Sequence, residues 1–118
     1  MNILSIETSC DETAAAIIKW SGDAASVIAN VVSSQASLHA KWGGVVPDLA
    51  SREHIKNIVP VIEETLERAE MAPDDIDLIA VTEGPGLMPA LLIGVSASLS
   101  RKAKISSHRI FMARSRFD

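Results

Sequence analysis

The chain has few aromatic residues and almost no cysteine. Of its 118 residues only 3% are aromatic, tyrosine is absent, and Cys10 is the single cysteine. One cysteine excludes an internal disulfide and a cysteine-rich zinc site, and it fits a reducing compartment. The scarcity of aromatic rings argues against a stacking platform for single-stranded nucleic acid. The core must therefore be built from aliphatic side chains.

The sequence also lacks a long uninterrupted apolar run. The most apolar stretch, residues 78–99, contains Glu83, Pro85 and Pro89, which do not fit a simple bilayer-crossing helix. The first residues lack the charged and apolar blocks of a secretory signal. With 47% hydrophobic and 22% charged residues, we expect one soluble, cytoplasmic globular domain without a membrane contact.

Charge is distributed unevenly along the chain. Residues 1–97 contain five basic and fourteen acidic side chains, whereas residues 98–118 contain six basic side chains and one acidic side chain. The composition therefore changes character near residue 98. We expect two parts, a lobe over residues 1–97 and a basic tail over residues 98–118.

Hydrophobic periodicity predicts six elements in the order β-β-β-α-β-α. The first three strands are joined by short turns, which indicates an antiparallel meander. Residues 34–47, with two adjacent glycines, predict an irregular connection. The helix that follows is amphipathic, and Pro60 inside it predicts a kink or break. The predicted strands cover residues 2–7, 13–20, 25–32 and 77–82, and the helices begin at Asp48 and at Leu87.

This order of elements defines the expected fold class. A helix between two strands favours a crossover onto a parallel neighbour, because antiparallel neighbours need only a short turn. The order resembles the ribonuclease-H-like half of the actin, Hsp70 and sugar-kinase (ASKHA) superfamily. We therefore expect a truncated α/β fold of that kind, in which a hairpin turn faces nucleotide phosphates.

The turn between the first two strands concentrates chemically useful side chains. Backbone N–H groups and the hydroxyls of Thr8 and Ser9 can approach a phosphate, while Asp11 or Glu12 can orient a metal or a nucleophile. A plain polar turn is the alternative, because Ser, Thr and Asp hydrogen-bond their own backbone. Cys10 fits a small buried thiol better than a nucleophile, since no histidine is paired with it by sequence.

A second candidate segment precedes the last predicted helix. Gly84, Pro85 and Gly86 lead into a helix N-terminus, whose unpaired N–H groups favour anions. This segment is neither the dinucleotide-binding G-x-G-x-x-G pattern nor a P-loop. By itself it is weak evidence for a phosphate site.

The three histidines do not form a recognisable metal site. His39, His54 and His108 show no i, i+4 pairing. We interpret His54 as a surface or packing side chain of the amphipathic helix, and His39 as part of a polar connection. The sequence therefore assigns no metal ligand to this chain.

Three segments in order resemble the successive signatures of the TsaD family. That family is also described as O-sialoglycoprotein endopeptidase or glycoprotease, and it includes the catalytic subunit of the KEOPS complex. Together the segments span nearly all of residues 1–97, which makes the resemblance far more specific than any single motif. The segments are Ile6–Thr13, Leu38-His39 with Gly43–His54, and Gly84–Leu87.

The resemblance implies a transferase that acts on tRNA. It would move threonylcarbamoyl from threonylcarbamoyl-AMP to the exocyclic amine of the adenosine beside the anticodon, in tRNAs that read codons beginning with A. Catalytic roles are implied for Asp11 first and Glu12 second. A bound iron or zinc ion is also implied, together with TsaB-like and TsaE-like partner proteins or self-association. The residues implied in nucleotide and substrate binding are Thr8, Ser9, Cys10, Gly84, Pro85 and Gly86.

The departures from the family pattern are as informative as the match. Family members continue into a further strand, a His-x-x-x-His metal pair and a second lobe, none of which we find here, and from residue 98 onward the sequence no longer resembles the family. We therefore expect this chain alone to be inactive. A non-catalytic TsaB-like interaction module and a truncated relic are the alternatives. A glycoprotease activity has no Ser-His-Asp, Cys-His or H-E-x-x-H arrangement to support it.

Two further expectations concern a contact surface on the amphipathic helix and the origin of residues 98–118. The amphipathic helix predicts a contact with a related lobe through Ile55 and Ile62, because few layers are available to cover it. For residues 98–118 we expect a reading-frame slip, so that the sheet lacks its next strand. A basic tail that contacts tRNA phosphates is the rival interpretation.

Overall fold

The computed structural model describes residues 1–104 and 109–114, which form one five-stranded sheet with helices packed against it. The strand order across the sheet is β3-β2-β1-β4-β5. The predicted α/β class is thereby confirmed. The strands are β1 (Asn2–Glu7), β2 (Glu12–Ser21), β3 (Ala24–Ser34), β4 (Leu78–Gly84) and β5 (Arg109–Arg114).

Strand directions follow the predicted pattern. β1 pairs antiparallel with β2, and β2 pairs antiparallel with β3, with a bulge near Ile17 and Ile18. β4 lies parallel to β1, where Ile3 is opposite Leu78, so the chain crosses over between them. Both the meander and the parallel crossover are confirmed.

The helices are α1 (Ala36–Ala40), α2 (Pro47–Arg68) and α3 (Met88–Lys104). A short 3-10 turn at Pro73–Asp75 leads into β4. The predicted irregular connection contains α1. The predicted break at Pro60 is wrong, because α2 runs through it as a single helix. Buried Ile58, Val61 and Ile62 flank this proline, and their packing offsets the backbone hydrogen bond that proline removes.

The core lies between α2 and one face of the sheet. Alternate residues of the strands point into it, as the two-residue period of a strand requires. Partly buried residues of α3, including Ile93 and Val95, pack against the same cluster. The core consists of Leu4, Ile6, Ala15, Ile17, Ala29, Val31, Ile58, Val61, Ile62, Leu66, Ile76, Ile79 and Val81. As expected, it is aliphatic.

In the described part of the chain, the opposite face of the sheet is lined by surface cavities. Its side chains line two adjoining surface cavities of about 280 Å³ and about 440 Å³. Ser5 and Ala80 line both, and Trp20, at the rim of the larger one, is half exposed. Within the described ranges, no helix is both long and apolar enough to cross a membrane.

The segment after residue 97 takes part in the sheet. Residues 98–104 continue α3, and Arg109–Arg114 form β5, which pairs parallel with β4. The expectation that the sheet lacks its next strand is therefore wrong. The six-residue run at 109–114 contains four residues, Ile-Phe-Met-Ala, that suit a strand, and its flanking arginines concealed it. The origin of residues 98–118 stays a separate prediction.

Ile55 and Ile62 lie on different sides of α2, although the sequence predicts one shared contact surface. Ile62 is 1% exposed in the core, whereas Ile55 is 60% exposed. Only Ile55 is available to a partner, together with Val59 one turn further along the helix. The prediction that Ile62 belongs to a docking surface is wrong.

The same substitution at these two positions should give opposite results. Ile62→Glu should lower the free energy of unfolding by about 3 kcal/mol or more, because it removes core packing and buries a charge. Ile55→Glu should change it by less than about 0.5 kcal/mol. Urea denaturation of the two variants measures both values. Equal destabilisation would contradict the placement of the core.

Candidate functional site

The site is built where the turn between β1 and β2 meets the start of α3. We call residues 8–11 the β1–β2 turn. The Leu87 amide donates a hydrogen bond to the Ser9 carbonyl over 2.7 Å. Gly86 lies so close that a Cβ atom there would sit 2.6 Å from the same oxygen. The two segments that the sequence singles out are therefore in direct contact.

Thr8 connects the β1–β2 turn to the interior of α3. Its hydroxyl donates to the Ala90 carbonyl over 2.7 Å and accepts from the Gly94 amide over 3.1 Å. These are the two groups that an i to i−4 helical hydrogen bond joins. The fully buried Thr8 hydroxyl thus lies between a carbonyl and an amide of α3 and fixes the β1–β2 turn to that helix.

Glu7 is a site residue that the sequence analysis did not single out. Its carboxylate accepts from the Ser9 amide and from the Thr82 hydroxyl, each over 2.5 Å. It therefore joins the β1–β2 turn to β4 on the side facing the open cavity, which it lines. The only available signal was its position at the end of a strand, next to the hydroxyl-rich turn.

The acidic end of the β1–β2 turn faces solvent. Asp11 is partly buried and Glu12 is exposed, and neither forms a salt bridge in the described part of the chain. Cys10 is exposed, so the expected buried thiol is wrong. Local desolvation, followed by the negative charges of Asp11 and Glu12, raises the pKa of the Cys10 thiol. Those charges suppress the thiolate, which disfavours a nucleophilic role.

His54 reaches this turn from α2 and is fully buried. Its Nε2 lies 2.8 Å from the Cys10 carbonyl oxygen, and its Nδ1 lies 2.7 Å from the Thr13 hydroxyl. Of the two interpretations, a surface or a packing side chain, the packing one is confirmed, and both ring nitrogens are hydrogen-bonded. Its partners are more than forty residues away in sequence, so local spacing could not reveal them.

A second polar connection holds the other side of the turn. The backbone N–H of Gln35 donates to the Asp11 carbonyl over 2.9 Å. The Gln35 side chain contacts His39 Nε2 at 2.7 Å and donates to the Ala50 carbonyl. His39 Nδ1 in turn accepts from the Val46 amide at the start of α2. His39 thus lies in a polar connection, as the sequence predicts, and it is buried there within α1.

No cluster of three or more His, Cys, Asp or Glu side chains suited to a metal ion occurs in residues 1–104 and 109–114. The two buried histidines have both ring nitrogens occupied by hydrogen bonds to neutral groups. These residues do not fit a metal site. We derive no chemical step through a metal from this chain.

Comparison with solved structures defines the class of fold. YeaZ from Pseudomonas aeruginosa superposes with a TM-score of 0.68 at 18% identity, covering 96% of this chain and 43% of that one. A Fowlpox virus resolvase, solved with its Holliday junction substrate, gives a TM-score of 0.51 at 15% identity, over all of this chain and 63% of that one. The chain is the ribonuclease-H-like half of an actin-like fold, as the sequence predicts.

Sequence comparison identifies the family. A family model described as "TsaD: tRNA N6-adenosine threonylcarbamoyltransferase" matches residues 26–107. The chain belongs to the TsaD family. The matched range continues past residue 97, where the sequence analysis places the end of the resemblance.

Curated relatives agree with this assignment. Proteins named tRNA N6-adenosine threonylcarbamoyltransferase are 56% identical over 98 residues in an Anaeromyxobacter species and 59% identical over 96 residues in Bacillus licheniformis. The Anoxybacillus flavithermus protein of that name is 54% identical over 110 residues. These alignments cover 81 to 93% of this chain but only 27 to 30% of the relatives. The chain therefore spans less than a third of their length.

Glycine at position 86 should be required by the contact between the β1–β2 turn and α3. Gly86→Ala should lower the free energy of unfolding by about 1–3 kcal/mol, because its Cβ would overlap the Ser9 carbonyl and force the turn away. Gly44→Ala is the matched control, since nothing lies within 4 Å of its added Cβ. Chemical denaturation compares the two. Similar stabilities would contradict the close approach.

The raised pKa of Cys10 should appear in its reactivity. Alkylation follows the thiolate, so its rate should rise with pH at a midpoint above that of an ordinary thiol. Asp11→Asn removes one of the causes and should move this midpoint to lower pH. Glu63→Gln, on an exposed part of α2, should leave it unchanged. Because Cys10 is the single cysteine, iodoacetamide labelling followed by mass spectrometry reports it alone. An unmoved midpoint in Asp11→Asn would contradict the charge effect.

Proposed function

We propose that this chain is the N-terminal part of a tRNA-modifying transferase. The reaction moves threonylcarbamoyl from threonylcarbamoyl-AMP to the exocyclic amine of the adenosine beside the anticodon, in tRNAs that read codons beginning with A. Family membership and relatives of that name support the proposal. The carrying observation is the acidic β1–β2 turn fixed against the Gly84–Gly86 segment. Such a reaction takes place in the cytoplasm, where tRNA is located.

The proposed roles follow from exposure and hydrogen bonding. The Asp11 carboxylate positions or polarises the attacking amine, and the exposed Glu12 assists it. Ser9, Cys10 and the Gly84–Gly86 segment line the phosphate side of the adenylate. Thr8 is buried in its bridge to α3, so its contribution is to hold the turn in place.

The chain alone is proposed to be inactive. A transfer between two substrates needs both held in one orientation, and this chain supplies one side of a cleft. It spans less than a third of its relatives, and its described residues contain no cluster of three or more side chains suited to a metal ion. The iron or zinc ion would belong to the remainder of a complete enzyme. Sequencing the codons of residues 98–118 tests the reading-frame slip, and loss of salt-sensitive tRNA binding on their deletion tests the rival tRNA-contacting role.

Partner proteins are proposed to bind at α2. Ile55 and Val59 form an exposed apolar pair one helical turn apart, which suits a helix–helix contact with a TsaB-like protein or a second copy. The fold shared with YeaZ supports a contact between related lobes. A TsaE-like protein would act on the assembled complex. The same surface favours the second candidate function, a non-catalytic interaction module.

Substitution of Asp11 tests the catalytic role. In a complete family enzyme carrying residues 1–97 of this chain, Asp11→Asn should lower kcat by about a hundredfold, the usual size of general acid–base and electrostatic effects. Asp23→Asn, in the exposed β2–β3 hairpin, is the control and should keep full activity. Formation of threonylcarbamoyl-adenosine is measured with purified tRNA and threonylcarbamoyl-AMP. Full activity of Asp11→Asn would return Asp11 to a turn-forming role, and product formed by the 118-residue chain alone would refute its proposed inactivity.

A further inference from the structure

The buried histidine of α2 holds a backbone group beside the proposed catalytic carboxylate. His54 Nε2 lies 2.8 Å from the Cys10 carbonyl oxygen. A carbonyl oxygen only accepts hydrogen bonds, so Nε2 must carry the proton. In the neutral ring Nδ1 is then an acceptor, and the Thr13 hydroxyl, 2.7 Å away, donates to it. The tautomer of His54 is therefore set by its two partners.

The hydrogen bond from His54 to the Cys10 carbonyl affects Asp11, because this carbonyl lies directly before Asp11 in the backbone. The Cys10 carbonyl belongs to the peptide plane before the Asp11 Cα, and the Asp11 carbonyl belongs to the plane after it. His54 binds the Cys10 carbonyl, and the backbone N–H of Gln35 binds the Asp11 carbonyl over 2.9 Å. Restraining both planes restrains φ and ψ of Asp11, and these two angles aim its Cα–Cβ bond.

A buried histidine needs a hydrogen-bond partner for each ring nitrogen, and one of the two partners of His54 is a backbone group of the β1–β2 turn. His54 is 0% exposed, and so is Thr13. The Thr13 hydroxyl satisfies Nδ1. The Cys10 carbonyl satisfies Nε2, and it belongs to a turn in which the Cys10 side chain is exposed to solvent. α2 also packs against β2 and β3, so its position is fixed independently of the turn. A rigid helix thus supplies the donor, and the turn is the part that it restrains.

We infer that His54 is a positioning residue, which aims the Asp11 carboxylate through its hydrogen bond to the Cys10 carbonyl. The catalytic consequence rests on the proposed function, whereas the conformational consequence does not. Removal of the bond should let the Cys10–Asp11 peptide rotate. A displacement of the carboxylate by about 1 Å is enough to reduce the rate by up to a hundredfold.

Two conservative replacements separate this role from packing. His54→Gln places an amide donor near the former Nε2 and keeps the bond to Cys10. His54→Asn places its amide near the former Nδ1, so it keeps the Thr13 contact and loses the Cys10 bond. Thr13→Val is the matched control, because it removes the Thr13 contact and keeps the Cys10 bond.

The conformational test uses the complete 118-residue chain in solution. The nitrogen-15 spectrum of the wild-type imidazole should show a protonated Nε2 and an unprotonated Nδ1, and the opposite tautomer would overturn the inference without any variant. The amide-to-Hα coupling of Asp11 reports φ. It should change in His54→Asn and stay at the wild-type value in His54→Gln and Thr13→Val. An unchanged coupling in His54→Asn, or an equal change in both His54 variants, would also overturn it.

The catalytic test uses a complete family enzyme carrying residues 1–97 of this chain. His54→Asn should lower kcat at least tenfold with little change in KM for tRNA, and His54→Gln should restore most of the loss. If the Asp11 coupling changes but kcat does not, the proposed catalytic role of Asp11 fails and the positioning contact stands. If kcat falls while the coupling is unchanged, the positioning inference fails and the proposed function stands.

Discussion

The structure depends on how closely the β1–β2 turn can approach α3. The Thr8 hydroxyl bridges Ala90 and Gly94 within that helix, which requires the turn and the helix backbone to be almost in contact. A Cβ at Gly94 would lie 2.7 Å from this hydroxyl, and one at Gly86 would meet Ser9. Two glycines, Gly86 just before α3 and Gly94 within it, therefore decide where the β1–β2 turn is held.

Parallel pairing explains why the two motifs meet at all. β1 and β4 run in the same direction, so the segments that follow them emerge at the same edge of the sheet. Open α/β sheets bind ligands at the carboxyl ends of their strands, where helix N-termini also point. The long connection through α2 is what makes this pairing parallel. It also brings His54 under the turn, so one crossover supplies both the second motif and the support of the first.

Much of the fold could be predicted because its signals are local. Alternation in residues 2–7 and the apolar spacing along α2 marked these elements correctly. β5 was missed because its apolar run is only four residues long and follows a strongly basic stretch. The turn and Gly84–Gly86 could be chosen from their composition, whereas the Glu7–Thr82 and His54–Thr13 contacts join residues 75 and 41 positions apart. Such contacts depend on register and topology, which single-sequence periodicity does not determine.

In residues 1–104 and 109–114, the face of the sheet opposite α2 and α3 is lined by cavities rather than by a helix. A sheet with parallel pairs is normally covered on both faces, because its strands are apolar on both sides. Here α2 and α3 cover one face, while residues such as Ile3, Ile18 and Leu78 line a cavity of about 440 Å³ on the other. The curated relatives are about three times as long, so they have further chain that can cover this face. On the proposed function, the described residues supply one wall beside the β1–β2 turn, and a group transfer needs two walls to exclude water and align its substrates.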